Sequence, residues 1–157
     1  MVEVDPGFVT LSRILTGYDD ASLWGTGCME EYWRQLRLVT PDYLREMLIG
    51  TGGYIADNNP DGGEYLEQAV REQLLSNPDF GPVCRSLIQL WYLGQWTPLP
   101  EAWVKRHGLF DADVARILSK RTYLEGLAWP TIGAHPMGGK QQGFGAWALP
   151  PSTSGRD

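Results

Sequence analysis

The run Leu87-Ile88-Gln89-Leu90-Trp91-Tyr92-Leu93-Gly94-Gln95-Trp96 decides how the rest of this 157-residue chain is read. It is apolar at helical spacing, holds three aromatics within six residues, and stops at a glycine. The pattern predicts a central helix over 84–93, with Gly94 letting the backbone turn left-handed past its last turn. Trp91 and Tyr92 occupy neighbouring positions and so point to different faces, which requires cover on more than one side. Nothing in the run points to catalysis.

Working outward, the flanks read as further short helices. Asp5-Pro6 supplies a cap oxygen followed by a proline at the first turn, where its missing N–H costs nothing. Phe8, Leu11, Ile14 and Leu15 then share one face, and Gly17 ends the segment. Asp20 restarts the pattern. Leu23, Trp24, Tyr32, Leu36 and Val39 recur at helical spacing, predicting helix through 21–38 that Gly25 and Gly27 weaken. Thr40-Pro41 repeats the device of Asp5-Pro6, and Tyr43, Leu44, Met47 and Leu48 form the next apolar stripe. The glycine-rich segment 50–63 reads as a surface loop between helices. Residues 64–76 are amphipathic, with Leu66, Ala69, Val70 and Leu74 inward. After Gly94 the texture becomes irregular. Residues 113–127 are expected to be helical on Val114, Ile117, Leu118, Leu124 and Leu127, with Asp111 as the cap, and Pro130 prevents continuation. No stretch shows the period-2 alternation of a strand. The fold expected is all-α: a single compact helical domain over 1–128 and an extended, irregular C-terminal arm over 129–157. Trp129, Phe144 and Trp147, spaced by flexible residues, suit an arm lying on another surface.

Composition narrows the function classes. A formal charge of −6 and a pI near 4.9 argue against nucleic acid, which requires a positive face to displace counterions. No run of 18 apolar residues is present, so no membrane span is expected. Seven tryptophans in a chain this small point to surface given to a partner. Cys28 and Cys84 are compatible with one disulfide and equally with two buried thiols, and lack the spacing of a redox pair or zinc site.

Chemistry is sparse. His107, between Lys105-Arg106 and Gly108, reads as an exposed loop residue. His135 lies among the tail aromatics, where a hydrogen-bonded structural role outweighs that of ligand or base. Asp57, Asn59 and Asp61 alternate as in a calcium loop, but the twelfth position is Gln68 instead of glutamate. The glycines of 50–63 lack the lysine and the strand-to-helix setting of a phosphate loop. Glu30-Glu31 reads as a solvated helix face and Asp19-Asp20 as a helix start. No nucleotide-binding glycine motif sits in a βαβ setting, so no cofactor is expected in this chain itself.

Three stretches resemble the small (gamma) subunit family of FAD-dependent D-sorbitol, D-fructose and glucose dehydrogenases. They are Phe8-Val9-Thr10-Leu11-Ser12-Arg13-Ile14-Leu15-Thr16-Gly17, then Leu90-Trp91-Tyr92-Leu93-Gly94-Gln95-Trp96, then Tyr123-Leu124-Glu125-Gly126-Leu127-Ala128-Trp129. Ala134-His135-Pro136-Met137-Gly138 and Gly145-Ala146-Trp147-Ala148-Leu149-Pro150 extend the third. The resemblance implies a non-catalytic accessory subunit that assists folding, stability and export of a large subunit. That large subunit, of the glucose-methanol-choline oxidoreductase type, carries the FAD and the catalytic base. A multihaem cytochrome c commonly takes the electrons. The family's small subunit usually carries a twin-arginine leader. Here the chain opens Met1-Val2-Glu3-Val4-Asp5, so the expected address is periplasmic if a leader was removed and otherwise cytoplasmic. The partner interface is expected to use Trp91, Tyr92, Trp96, Tyr123, Trp129, His135, Pro136, Phe144 and Trp147, and to bury roughly 2,000 Å² or more in total. The competing readings are a free-standing helical adaptor or chaperone and a small enzyme using Cys28, Cys84 or His135.

Overall fold

In a computed structural model, residues 2–134 are described. The element order is α1 (Pro6–Thr16), α2 (Asp20–Gly25), α3 (Met29–Val39), α4 (Asp42–Asn58), α5 (Gly63–Val70), a π turn (Arg71–Leu75) and α6 (Gly81–Leu93). There follow β1 (Gln95–Trp96), α7 (Glu101–His107), β2 (Arg116–Ile117), α8 (Lys120–Leu124) and α9 (Ala128–Ile132). The described residues are all-α apart from the two-residue antiparallel ladder, in which Gln95 pairs with Ile117 and Trp96 with Arg116.

The first helix begins as its sequence dictates. The Asp5 carboxylate accepts from Gly7 N at 2.7 Å, Pro6 stands in the first turn, and Gly17 closes the end at φ 81°. Helix α6 likewise ends at Gly94, in the left-handed region at φ 70°. Its start lies three residues earlier than the apolar pattern suggests, because Gly81-Pro82 supplies the first turn. Helices α1, α3, α4 and α6 meet in a core that includes Phe8, Leu11, Tyr32, Leu36, Leu48, Leu87 and Trp91. Helices α1 and α4 approach closely: a side chain on Gly52 would press Leu11, and one on Gly7 would overlap Ile49.

Several local expectations are corrected. Residues 50–58 are helical, not loop. Ile55 is buried and Gly52 sits against Leu11, so tertiary packing overrides the low helix propensity of three glycines. The helix expected through 21–38 is two helices, broken where Gly27 takes φ 76°. Residues 113–127 hold no continuous helix. Val114 and Ile117 are exposed, and Asp113 is buried as the acceptor for Trp96 Nε1 at 2.8 Å and Leu99 N at 3.0 Å. A carboxylate that satisfies two buried donors holds the chain in a turn where apolar spacing alone suggests helix. On α4, Leu44 and Leu48 face inward while Tyr43 and Met47 face solvent. The arm expected to be irregular from residue 129 begins with the helical turn α9, capped by Gly133 at φ 74°.

Candidate partner-facing site

The end of α6 gathers residues from three distant parts of the chain. Trp91 Nε1 donates to Ser12 Oγ at 3.1 Å, and the Tyr92 hydroxyl donates to Thr16 O at 3.0 Å, so α1 is tied to α6 through two aromatics. Tyr32 meets Trp91 edge-on at 4.6 Å between ring centres. From the other side, Leu127 N donates to Trp91 O at 3.0 Å, Leu118 N to Gly94 O at 3.2 Å, and Thr122 Oγ1 to Gly94 O at 3.0 Å. These donors satisfy carbonyls that a helix end otherwise leaves unpaired. The fit is backbone against backbone. A Cβ on Gly94 would overlap the Thr122 carbonyl and stand 2.8 Å from Tyr123 N; one on Gly126 would stand 2.6 Å from Tyr92 O.

Beyond this junction the surface opens into a groove of about 410 Å³ whose walls include Tyr18, Thr26, Gly126, Trp129, Pro130 and Ala134. Trp129 is half-buried: its ring meets Tyr123 edge-on at 5.7 Å and its Nε1 donates to Tyr123 O at 2.9 Å. Tyr18 OH and Thr131 Oγ1 share a 2.6 Å hydrogen bond across the groove. The groove therefore lies where the chain passes into 135–157.

Of the residues expected at the interface, Trp91 and Trp96 are 1% and 0% exposed and belong to the core. They brace the site from within and offer no surface. Tyr92, Tyr123 and Trp129 are partly exposed: Trp129 lines the groove, Tyr123 packs on Trp129, and Tyr92 packs on the groove residue Tyr18. His135, Pro136, Phe144 and Trp147 lie outside the described residues. Cys28 and Cys84 are free, buried thiols, not a disulfide. Burial pushes the Cys84 thiol up to about 12 and also raises Cys28. A buried thiol whose pKa is raised carries little thiolate near neutral pH. Desolvation raises the Tyr92 phenol too.

One cluster escaped the sequence reading. His107 is not an exposed loop residue. It ends α7 with its side chain 9% exposed, and its Nε2 lies 2.8 Å from Asp79 Oδ1 while its Nδ1 lies 2.7 Å from the Tyr43 hydroxyl. Arg106 Nε also donates to Asp79 Oδ1 at 3.1 Å, and Trp103, whose indole donates to Asp79 O at 2.9 Å, packs on the imidazole at 4.7 Å. The His107 hydrogen bond first, with Arg106 behind it, holds the Asp79 carboxyl below its ordinary value of 3.8. Asp79 and Tyr43 lie 28 and 64 residues from His107, so no local pattern announces them. The arrangement fixes the Tyr43 ring at the surface.

Among the described residues no helix is long and apolar enough to cross a membrane. No family model matches the chain, and no curated protein or solved structure matches it.

Proposed function

We propose that this chain is the non-catalytic accessory small subunit of an FAD-dependent sugar or alcohol dehydrogenase of the glucose-methanol-choline type. One observation carries the reading. The three stretches on which the family resemblance rests are far apart in sequence, yet they meet at the end of α6: Ser12 and Thr16 on Trp91 and Tyr92, Gly94 on Thr122, and Gly126 on Tyr92. A shared motif set that converges on one buried junction is what a common fold demands. The junction is built of backbone carbonyls, aromatic rings and glycines, and it shapes a groove at the root of the C-terminal segment.

On this reading the FAD and the acid–base chemistry reside in the large subunit, and a multihaem cytochrome c is the electron acceptor. The helical body is a platform, and residues 129–157 lie along the flavoprotein. A partner that binds only the folded form of the large subunit stabilises it by mass action. The cellular address of the chain follows that of its partner, the periplasm.

Co-expression with a candidate flavoprotein large subunit of the glucose-methanol-choline type is the test. The expected result is a yellow complex containing both chains, and a large subunit that is insoluble or inactive when made alone. A large subunit fully active without this chain overturns the proposal. So does this chain, purified by itself, holding flavin and oxidising an alcohol.

A further inference from the structure

The cluster of Tyr43, Asp79 and His107 joins α4, α7 and the turn before α6, and its donors and acceptors come in a fixed order. Asp79 Oδ1 accepts from Arg106 Nε at 3.1 Å, while Arg106 Nη2 is tied to Pro78 O at 2.8 Å. The same Oδ1 stands 2.8 Å from His107 Nε2. His107 and Arg106 hold the Asp79 carboxyl in its charged form. A carboxylate has no proton to give, so Nε2 carries the N–H and donates. In the neutral ring the other nitrogen, Nδ1, is then a bare acceptor. It lies 2.7 Å from the Tyr43 hydroxyl, which therefore donates to it.

The base and its support are held rigid, and the hydroxyl is open. The His107 side chain is 9% exposed, and Trp103 packs on its ring at 4.7 Å. Trp103 Nε1 also donates to Asp79 O at 2.9 Å, and Asp79 N donates to Asn77 Oδ1 at 2.8 Å. Tyr43, by contrast, is 53% exposed, so a reagent can reach it from solvent. An oxygen in contact with a base, with that base oriented by a third group, is the arrangement that activates a hydroxyl nucleophile. Two other tyrosines show that exposure alone does not bring this setting. Tyr54 and Tyr65 are 62% and 79% exposed, and their hydroxyls have no hydrogen-bond partner among the described residues.

The parts present match one kind of electrophile. Attack on an acyl carbon is carried by a nucleophile and a base, and both are here. Phosphoryl transfer relies instead on cations clamped around the transferring group. The lysine and arginine side chains of α4 and α7 already stand against carboxylates: Arg45 against Asp42, Lys105 against Glu101 and Arg106 against Asp79. An uncharged acyl donor needs no such clamp. Met47, one helical turn beyond Tyr43 and 58% exposed, offers apolar surface beside the hydroxyl's helix.

We propose that Tyr43 is a self-acylation site, taking an acyl group from an uncharged activated ester with His107 as the base and Asp79 as its positioning residue. The Tyr43 oxygen bonds to the carbonyl carbon. The bond from that carbon to the leaving group breaks, and the leaving group departs with the electron pair. The phenol proton passes to His107 Nδ1 and on to water. The product is an acyl-tyrosine, one per chain, and the inference does not depend on the accessory-subunit reading. The test treats the full chain with p-nitrophenyl acetate and follows acetylation of each tyrosine by peptide mass mapping. Tyr43 should be acetylated about tenfold or more faster than Tyr54 and Tyr65. His107→Gln keeps a hydrogen-bonding side chain without a basic nitrogen, and should bring Tyr43 down to their rate while leaving theirs unchanged. Nitrogen NMR in mildly alkaline buffer should show the His107 proton on Nε2. Asp79→Asn should slow Tyr43 several-fold and add the Nδ1–H form to that spectrum; an unchanged rate and spectrum would remove Asp79 from the mechanism. Wild-type Tyr43 labelled no faster than Tyr54 and Tyr65 overturns the proposal, as does a His107 proton on Nδ1, and neither measurement needs a variant. Fast labelling that survives His107→Gln overturns it too.

Discussion

Gly94→Ala is the most searching single change. Gly94 takes φ 70°, where a side chain costs about 1 kcal/mol. The new Cβ would also overlap the Thr122 carbonyl, so residues 122–123 must retreat. That retreat strains two hydrogen bonds to Gly94 O, from Leu118 N at 3.2 Å and Thr122 Oγ1 at 3.0 Å. Each is worth about 1 kcal/mol net, and a displaced buried group adds about 1 kcal/mol more. The sum is about 4 kcal/mol, a large share of the roughly 5–15 kcal/mol by which native proteins are stable. With a urea m-value of about 2 kcal/mol/M, the midpoint falls by about 2 M. Tryptophan fluorescence reads this directly, since Trp91 and Trp96 flank the site. Gly17→Ala is the internal reference. It shares the left-handed conformation at φ 81° but has nothing within 4 Å, so only the backbone cost of about 1 kcal/mol remains. Equal midpoints for the two variants would refute the claim that the α6 end is a close-packed junction.

Trp91→Phe removes the indole donor to Ser12 Oγ and should destabilise the chain by about 1–2 kcal/mol. In combination with Ser12→Ala the losses should be sub-additive, as a double-mutant cycle by urea unfolding will show. Asp79 binds its proton less readily in the folded chain than its ordinary value of 3.8 implies. Just below that value the unfolded chain holds more protons, so stability falls as pH drops toward the folded-state value. Acid unfolding of Asp79→Asn should lack that part of the slope. Cys28 and Cys84 should be unreactive toward a thiol reagent in the native protein at pH 8, and both should react once it is unfolded. Fast labelling of a native thiol would contradict their burial.

The parts of the fold legible in the sequence are those set by local chemistry. Asp5-Pro6, Gly17 and Gly94 act through caps and backbone conformation within a few residues, and each stands where the spacing places it. The failures share a different cause. Helix α4 runs through its glycines because Leu11 of α1 packs on Gly52 and Ile49 of α4 packs on Gly7, contacts spanning some forty residues. Asp113 breaks an apolar pattern because Trp96 and Leu99 need its carboxylate. His107 reads as loop because Tyr43 and Asp79 lie far off in sequence. At the candidate site, the aromatic content was visible beforehand, but its division was not. Trp91 and Trp96 are core, whereas Tyr43, read from the sequence as part of an apolar stripe, and Tyr54, assigned no role there, are exposed.

The carbonyls of Trp91 and Gly94 find their donors in Leu118, Thr122 and Leu127. During synthesis, therefore, the middle helix emerges well before the groups that finish it. Until Leu127 has left the ribosome, the hydrophobic centre has one open end, and any chain cut short of that point would present it to chaperones and proteases. The last open end of the core therefore closes only when residues 118–127 reach the end of α6.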